Sequence, residues 1–337
     1  MPAAALSRPN IRRRAPGLAL AAALAGVALL LGHRLPLVGA PVLGIVLGLL
    51  VRATLAPGER FGPGFAFAGG TVLQASVVAL GFGFSLTQVA STGLASLPVT
   101  LATLAVAFSS ALLLGRWMGV HGKLMILVGV GTAICGASAI AAVAPVIEPD
   151  EHDTAYAIST IFLFNIVAVL LFPPLGHLLH MGDAGFGLWA GTAINDTSSV
   201  VAAGYSFSRA AGDYATIVKL TRATLIVPVC LALAFATARR AGAASEHSGL
   251  LRRFPWFILG FLAASALRTA GLVPTSIQPA LHLAAEALIV LALTGLGLSA
   301  NLRRMLASGP RPVLLGLGVW VAVATSSLLV QAILRQV

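Results

Sequence analysis

The sequence predicts an all-α polytopic membrane protein with about eleven transmembrane helices, and three observations carry that prediction. Of 337 residues, 58% are hydrophobic and only 9% are charged, and the mean hydropathy is +0.97. A soluble domain carries about a quarter charged residues, so ten acids and 21 bases are too few to coat a globule of this size. Second, breaks at Pro, Gly and charge divide the chain into apolar runs near the roughly 20 residues that span a bilayer's hydrocarbon. Third, lysines and arginines collect in alternate loops. A soluble enzyme, a disordered chain and a collagen are excluded by the same arithmetic, and no room is left for a second, soluble domain.

The runs follow in order. The first, 17–32, comes after Arg12, Arg13 and Arg14 and resembles a signal peptide. His33, Arg34, Leu35 and Pro36 stand where a small-residue cleavage site would be, so it reads as an uncleaved helix. The second, 36–51, opens at Pro36 and stops at Arg52, and 68–87 closes on Gly81-Phe82-Gly83-Phe84-Ser85. The fourth, 94–115, ends at Arg116; the fifth, 123–146, starts at Lys123 and ends before Glu148 and Pro149. Spans 154–177, 185–205 and 214–238 follow, the last closed by Arg239 and Arg240. Spans 254–271, 279–300 and 312–333 complete the set.

Cytoplasmic loops are enriched in Lys and Arg. With the N-terminus inside and eleven crossings, the inner side holds Arg8, Arg12, Arg13, Arg14, Arg52, Arg60, Arg116 and Lys123. It also holds Arg239, Arg240, Arg252, Arg253, Arg303, Arg304 and Arg311, fifteen in all. The outer side holds four, Arg34, Arg209, Arg268 and Arg335, and Lys219 and Arg222 lie within a span, which accounts for all 21. The acidic run Glu148 to Asp153 falls outside in this arrangement, and so does the C-terminus. The net charge of +11 is then loop charge rather than a nucleic-acid surface.

Polar residues inside apolar spans are the candidates for function. The fifth span carries Gly129, Gly131, Thr132, Cys135, Gly136 and Ser138. Small residues there suit either close helix packing or an interrupted helix whose free N–H groups meet an anion; Ala would serve packing alone, so the pattern favours a break between Gly129 and Ala139. The tenth span, with Thr294, Gly295, Gly297 and Ser299, is its candidate counterpart. The seventh carries Asn195, Asp196, Thr197, Ser198 and Ser199, readable as a helix-break cap or as a cavity wall. Lys219 and Arg222, three apart, share one helix face; snorkelling, neutralisation of Asp196 and an anion-holding lining are the open readings. Asn165 and Gln74 read as interhelical hydrogen-bond partners, and Glu286 with His282 as a pair or an interfacial coincidence.

Two internal similarities stand out. Gly81 to Ser85 resembles Gly295 to Ser299. Gly131-Thr132-Ala133-Ile134 recurs as Gly191-Thr192-Ala193-Ile194, and at the same offset of 60 Ser138 meets Ser198. Two spans separate the second pair of copies, so they are expected to run parallel, and an inverted repeat does not explain them. The two cysteines, Cys135 and Cys230, form no framework. No metal-ligand spacing, nucleotide fingerprint or Walker motif is present, so neither a cofactor nor an enzymatic activity is expected.

The motif Gly131-Thr-Ala-Ile-Cys-Gly-Ala-Ser-Ala-Ile-Ala-Ala142 followed by Val143-Ala-Pro-Val-Ile147 resembles the YeiH family of bacterial membrane proteins, described as sulfate exporters. Trp189-Ala-Gly191, Asp196-Thr-Ser198, Val200-Val-Ala-Ala203 and Lys219-Leu-Thr-Arg222 extend the likeness over roughly residues 35–300. The chain departs from the family at Asn195 and Ser199, where His and Gln are common. The resemblance implies a fold akin to bile-acid symporters and sodium/proton antiporters: two inverted five-helix repeats, 35–183 and 184–337, whose broken fifth and tenth helices cross, preceded by an extra helix in 1–34. It further implies a secondary transporter of a small anion, with Thr132, Cys135, Gly136, Ser138, Asn195, Asp196, Thr197, Ser198, Lys219, Arg222, Gly295 and Ser299 around the substrate. The expected setting is a bacterial inner membrane. The coupling ion (proton or sodium) and a homodimeric assembly stay open, and a non-transporting scaffold or receptor is the competing reading.

Overall fold

The computed structural model describes residues 11–34, 39–120, 122–226, 228–230, 232–233, 235, 256–300 and 310–336. Among these, every regular element is helical. Six helices are long and apolar enough to cross a bilayer, and shorter apolar helices accompany them. The described residues are those of an all-helical membrane protein. Arg8, Arg239, Arg240, Arg252, Arg253, Arg303 and Arg304, and the far end of the 214–238 span, lie outside the described residues.

The chain forms two compact units, Met1–Ser85 with Gly260–Asn301, and Leu86–Leu259 with Leu302–Val337. The first holds α1 (Ile11–Arg34), α2 (Gly39–Thr54), α3 (Gly62–Phe67) and α4 (Leu73–Gly81), with a π-helical turn at Ala68–Val72 between the last two. It also takes most of α12 (Trp256–Thr269) and all of α13 (Gln278–Ser299). Helix α13 packs on α1, α2, α3, the π turn and α4. Small residues make these contacts close. A Cβ on Gly297 would stand 2.4 Å from Ile45 O, one on Gly48 2.6 Å from Thr294 O, and one on Gly295 2.5 Å from Ala68 Cβ. In lipid no hydrophobic force drives helices together, so such backbone approach supplies the packing energy.

The second unit holds α5 (Leu86–Trp117), α6 (Lys123–Ala133), α7 (Ala137–Ile147), α8 (Glu151–Leu178), α9 (Asp183–Ala193), α10 (Thr197–Phe207), α11 (Arg209–Thr224) and α14 (Pro310–Leu334). The fifth predicted span is broken at Ile134–Gly136, inside the window that its glycines mark. The seventh is broken too, at Ile194–Asp196. The boundaries of α6 and α7 map onto those of α9 and α10 at an offset of 60 residues throughout.

Neither broken span runs on in one direction. Each half-helix of 11 residues rises about 17 Å, half the hydrocarbon thickness. Lys123 Nζ at the start of α6 donates to Glu148 O just past the end of α7, at 2.5 Å. Asp183 at the start of α9 accepts from Ser208 Oγ just past α10, at 2.6 Å. A straight helix would hold those ends about 37 Å apart. Both spans are therefore helical hairpins whose two ends meet.

Helix α8, 28 residues and about 42 Å long, measures their placement. Its Asp153 carboxylate lies near the Leu124 N–H at the base of hairpin 1. One turn short of its middle, Ile161 lies against Gly131 and Gly136 at the hairpin 1 tip. Asn165 Oδ1 accepts from the N–H groups of Asn195 and Asp196 at the hairpin 2 tip, and Gly176 packs under Phe186 and Phe207 at its base. The hairpins thus enter from opposite ends of α8 and meet tip to tip.

Two expectations are corrected. Spans 123–146 and 185–205 fold back on themselves instead of running straight, so the copies at offset 60 lie antiparallel along α8 rather than parallel. The tenth span is not the broken partner of the fifth, because α13 is continuous from Gln278 to Ser299 and its glycines serve helix contacts.

In a chain with Cys135 and Cys230 replaced by Ala, an impermeant maleimide should label Trp117→Cys and Pro149→Cys from the same face of the membrane. Gly182→Cys and Arg209→Cys should label from the opposite face. Labelling of positions 117 and 149 from different faces would restore a crossing at the fifth span.

Candidate functional site

The site is built from four half-helix ends. The C-terminal ends of α6 and α9 leave their last carbonyls without helical partners, and the N-terminal ends of α7 and α10 leave N–H groups. At the hairpin 1 tip, Gly136 turns the chain at φ +67°, a conformation that glycine adopts without cost. At the hairpin 2 tip, Asp196 is the N-cap of α10: its Oδ2 accepts from Ser198 N at 3.0 Å and from Ser199 N at 3.4 Å, and from the Ser198 hydroxyl. Thr197 opens the helix beside it, buried. The two tips touch, since a Cβ on Gly136 would stand 3.5 Å from Asp196 Cβ.

Lys219 and Arg222 reach this meeting point from α11. Helix α11 comes close enough because Gly187, Gly191 and Gly204 face it: a Cβ on Gly191 would stand 3.0 Å from Ala215 O, and one on Gly204 2.7 Å from Gly212 Cα. Both cations are 0% exposed, which excludes snorkelling. Lys219 Nζ donates to Ile134 O at 2.8 Å and to Ile194 O at 3.0 Å. Arg222 donates through Nε to Ala133 O at 2.6 Å and through Nη2 to Thr132 O at 2.5 Å, while Nη1 donates to Thr192 O. Ile134 and Ile194 are equivalent in the repeat, as are Thr132 and Thr192. Each cation therefore bridges the same position on both hairpins. Helix C-termini carry about half a negative charge each, and the cations sit on that charge.

The sequence reading placed these cations against Asp196 or an anion. The structure gives them main-chain carbonyls, while the Asp196 carboxylate is engaged by the first turn of its own helix. Asn195 and Cys135 are buried at the two tips. Thr132 Oγ1 and Asn195 Oδ1 are buried without a hydrogen-bond partner. Ser138 is exposed in the first turn of α7, an end that has no side-chain cap. Gly295 and Ser299 belong to the other unit, where the Ser299 hydroxyl donates to Gly295 O within α13.

Sequence reasoning missed the carbonyls of Thr132, Ala133, Ile134, Thr192 and Ile194, which no side chain advertises, although the recurring Gly-Thr-Ala-Ile marks them. It also missed the brace behind hairpin 2: the Thr192 hydroxyl bonds Ser327 Oγ at 2.7 Å, and Trp189 Nε1 donates to Ala324 O at 3.0 Å.

A family model described as "Conserved hypothetical protein 698" matches residues 16–316. The UPF0324 membrane protein spyM18_1033 of Streptococcus pyogenes is 42% identical over 328 residues, covering 95% of this chain and 97% of that one. The chain belongs to this family. The family is the one its motifs resemble, YeiH, known also as UPF0324. Further members are similarly close: FN0533 of Fusobacterium nucleatum is 39% identical over 339 residues, covering 94% of this chain and 97% of its own. A Clostridium tetani member is 37% identical over 342 residues, with 97% and 99% covered. These relatives are named membrane proteins, in keeping with the apolar helices found here.

Replacing Arg222 with Met should lower the unfolding temperature in detergent markedly, at a cost of about 1–3 kcal/mol for each carbonyl left unpaired. Arg222→Lys should recover only part, because a point charge cannot reproduce the planar fork. An Arg222→Met protein as stable as the parent would show that the carbonyl contacts carry no weight.

Proposed function

We propose that the protein is a secondary transporter of a small anion, sulfate or a related oxyanion, seated at the hairpin tips and moved by alternating access. The observation that carries this is charge. Lys219 and Arg222 contribute +2 and Asp196 −1, a net +1 in surroundings too apolar to leave it uncompensated. The partial charges of two helix C-termini and two N-termini cancel, so one further anion completes the balance.

The repeat supports a position for it. At the offset of 60, Gly136 stands where hairpin 2 has Asp196, and Ser138 where hairpin 2 has Ser198. The Asp196 carboxylate caps α10 from within the chain, whereas α7 has no such cap. A substrate oxyanion meets the α7 N-terminus as Asp196 meets α10, with the exposed Ser138 as its side-chain donor. Interrupted helices commonly present N-termini to anionic substrates in this way. Two hairpins entering from opposite faces also supply two gates, each able to open one face while the other stays shut.

In this reading the hairpins make no crossing, and nine crossings replace eleven. The sequence holds no Lys or Arg between Lys123 and Arg209, so the fifteen-to-four charge distribution is unchanged and only the acidic run at 148–153 moves to the inner side. The termini stay as expected, N inside and C outside, in a bacterial inner membrane. Net export follows the family resemblance.

In proteoliposomes, radiolabelled sulfate or another small oxyanion should exchange across the membrane, and Ser138→Ala should weaken that exchange without loss of folded protein. Flux of cations alone, or of no small anion in a screen that includes sulfate, sulfite and small carboxylates, would overturn the reading.

A further inference from the structure

Five carbonyls at the hairpin tips, those of Thr132, Ala133, Ile134, Thr192 and Ile194, accept from Lys219 and Arg222. They belong to the last turns of α6 and α9 and the residues just beyond. Carbonyls at the end of an interrupted membrane helix have free lone pairs and a share of the helix's negative pole. In secondary transporters such groups ligate the coupling sodium ions. Here they are satisfied by cations that the chain itself carries, both fully buried. Lys219 is the closer analogue of a metal ion: a compact point charge, 2.8 Å from an oxygen of one hairpin and 3.0 Å from its equivalent on the other.

We infer that Lys219 and Arg222 are resident cations in the place of an exchangeable alkali ion, so that the hairpin tips bind no sodium and the anion moves without a sodium requirement. The statement about flux rests on the transport reading above; the statement about binding does not. A converse follows. With the ammonium removed, Ile134 O and Ile194 O become a pair of hard oxygen ligands bridging the two tips, with Asp196 two residues beyond Ile194, and a small monovalent cation can replace the lost charge.

The test is thermal unfolding of the full chain in detergent, in sodium chloride and in choline chloride at equal ionic strength. The wild-type midpoint should be the same in both salts. Lys219→Ala should unfold several degrees lower in choline and regain much of that loss in sodium. Specific stabilisation of the wild type by sodium, or a folded Lys219→Ala protein indifferent to it, would overturn the inference. If Lys219→Ala does not survive extraction, binding of radiolabelled sodium to the wild type decides: none sustains the inference, and stoichiometric binding defeats it. Anion flux that stops when choline replaces sodium also defeats it, while leaving the anion reading intact. Absence of all anion flux counts against the transport reading alone, since the unfolding and binding measurements stand without it.

Discussion

The second unit depends on two cations buried against five carbonyls. Neither partner is tolerable alone. A carbonyl left bare in an apolar interior costs about 1–3 kcal/mol, and an unpaired buried cation costs several more. Together they allow two helices to stop and turn back, which an apolar setting permits only where the freed backbone is satisfied by protein or lines a wet cavity. The glycines along α9 and α10 make the arrangement possible, because only a bare backbone lets α11 approach within reach of the tips. Chain geometry, helix packing and electrostatics thus meet at Lys219 and Arg222.

The two hairpins are alike in backbone and unlike in charge. Their boundaries, their base contacts and their carbonyl bridges correspond at a fixed offset. Their N-terminal caps do not: Asp196 fills one, and Gly136 leaves the other without a side chain. A symmetric frame with an asymmetric charge is the arrangement on which the proposed anion transport draws. Rigid support comes from behind, where Trp189 stacks on Phe172 at 4.0 Å and Phe164 on Trp320 at 5.5 Å. The first unit differs in kind. Its long α13 is uninterrupted, and its glycines bring backbones together rather than free them.

Much of this was legible in the residues. Composition alone requires a membrane protein, because 9% charge cannot solvate the chain. The glycines around Thr132 and Cys135 located the break at Ile134–Gly136, since packing alone would accept Ala there. The polar run at Asn195–Ser199 allowed either a helix-break cap or a cavity wall, and Asp196 is the cap of the first of these readings. The glycines of the tenth span misled, because small residues serve close packing as readily as a break, and composition does not separate the two.

Hydropathy marked the apolar runs, and the glycines of the fifth run marked its break. They could not fix whether a broken helix continues or returns. Two half-helices of 11 residues have the same apolar content in either case, and the charge rule is silent between Lys123 and Arg209, where no Lys or Arg occurs. Contacts between distant residues decided it: Lys123 on Glu148, Asp183 on Ser208, and α8 touching base, tip, tip and base in turn. The partners of Lys219 and Arg222 were decided there too, because a main-chain carbonyl looks the same at every position in a sequence and becomes a ligand only where the fold leaves it free.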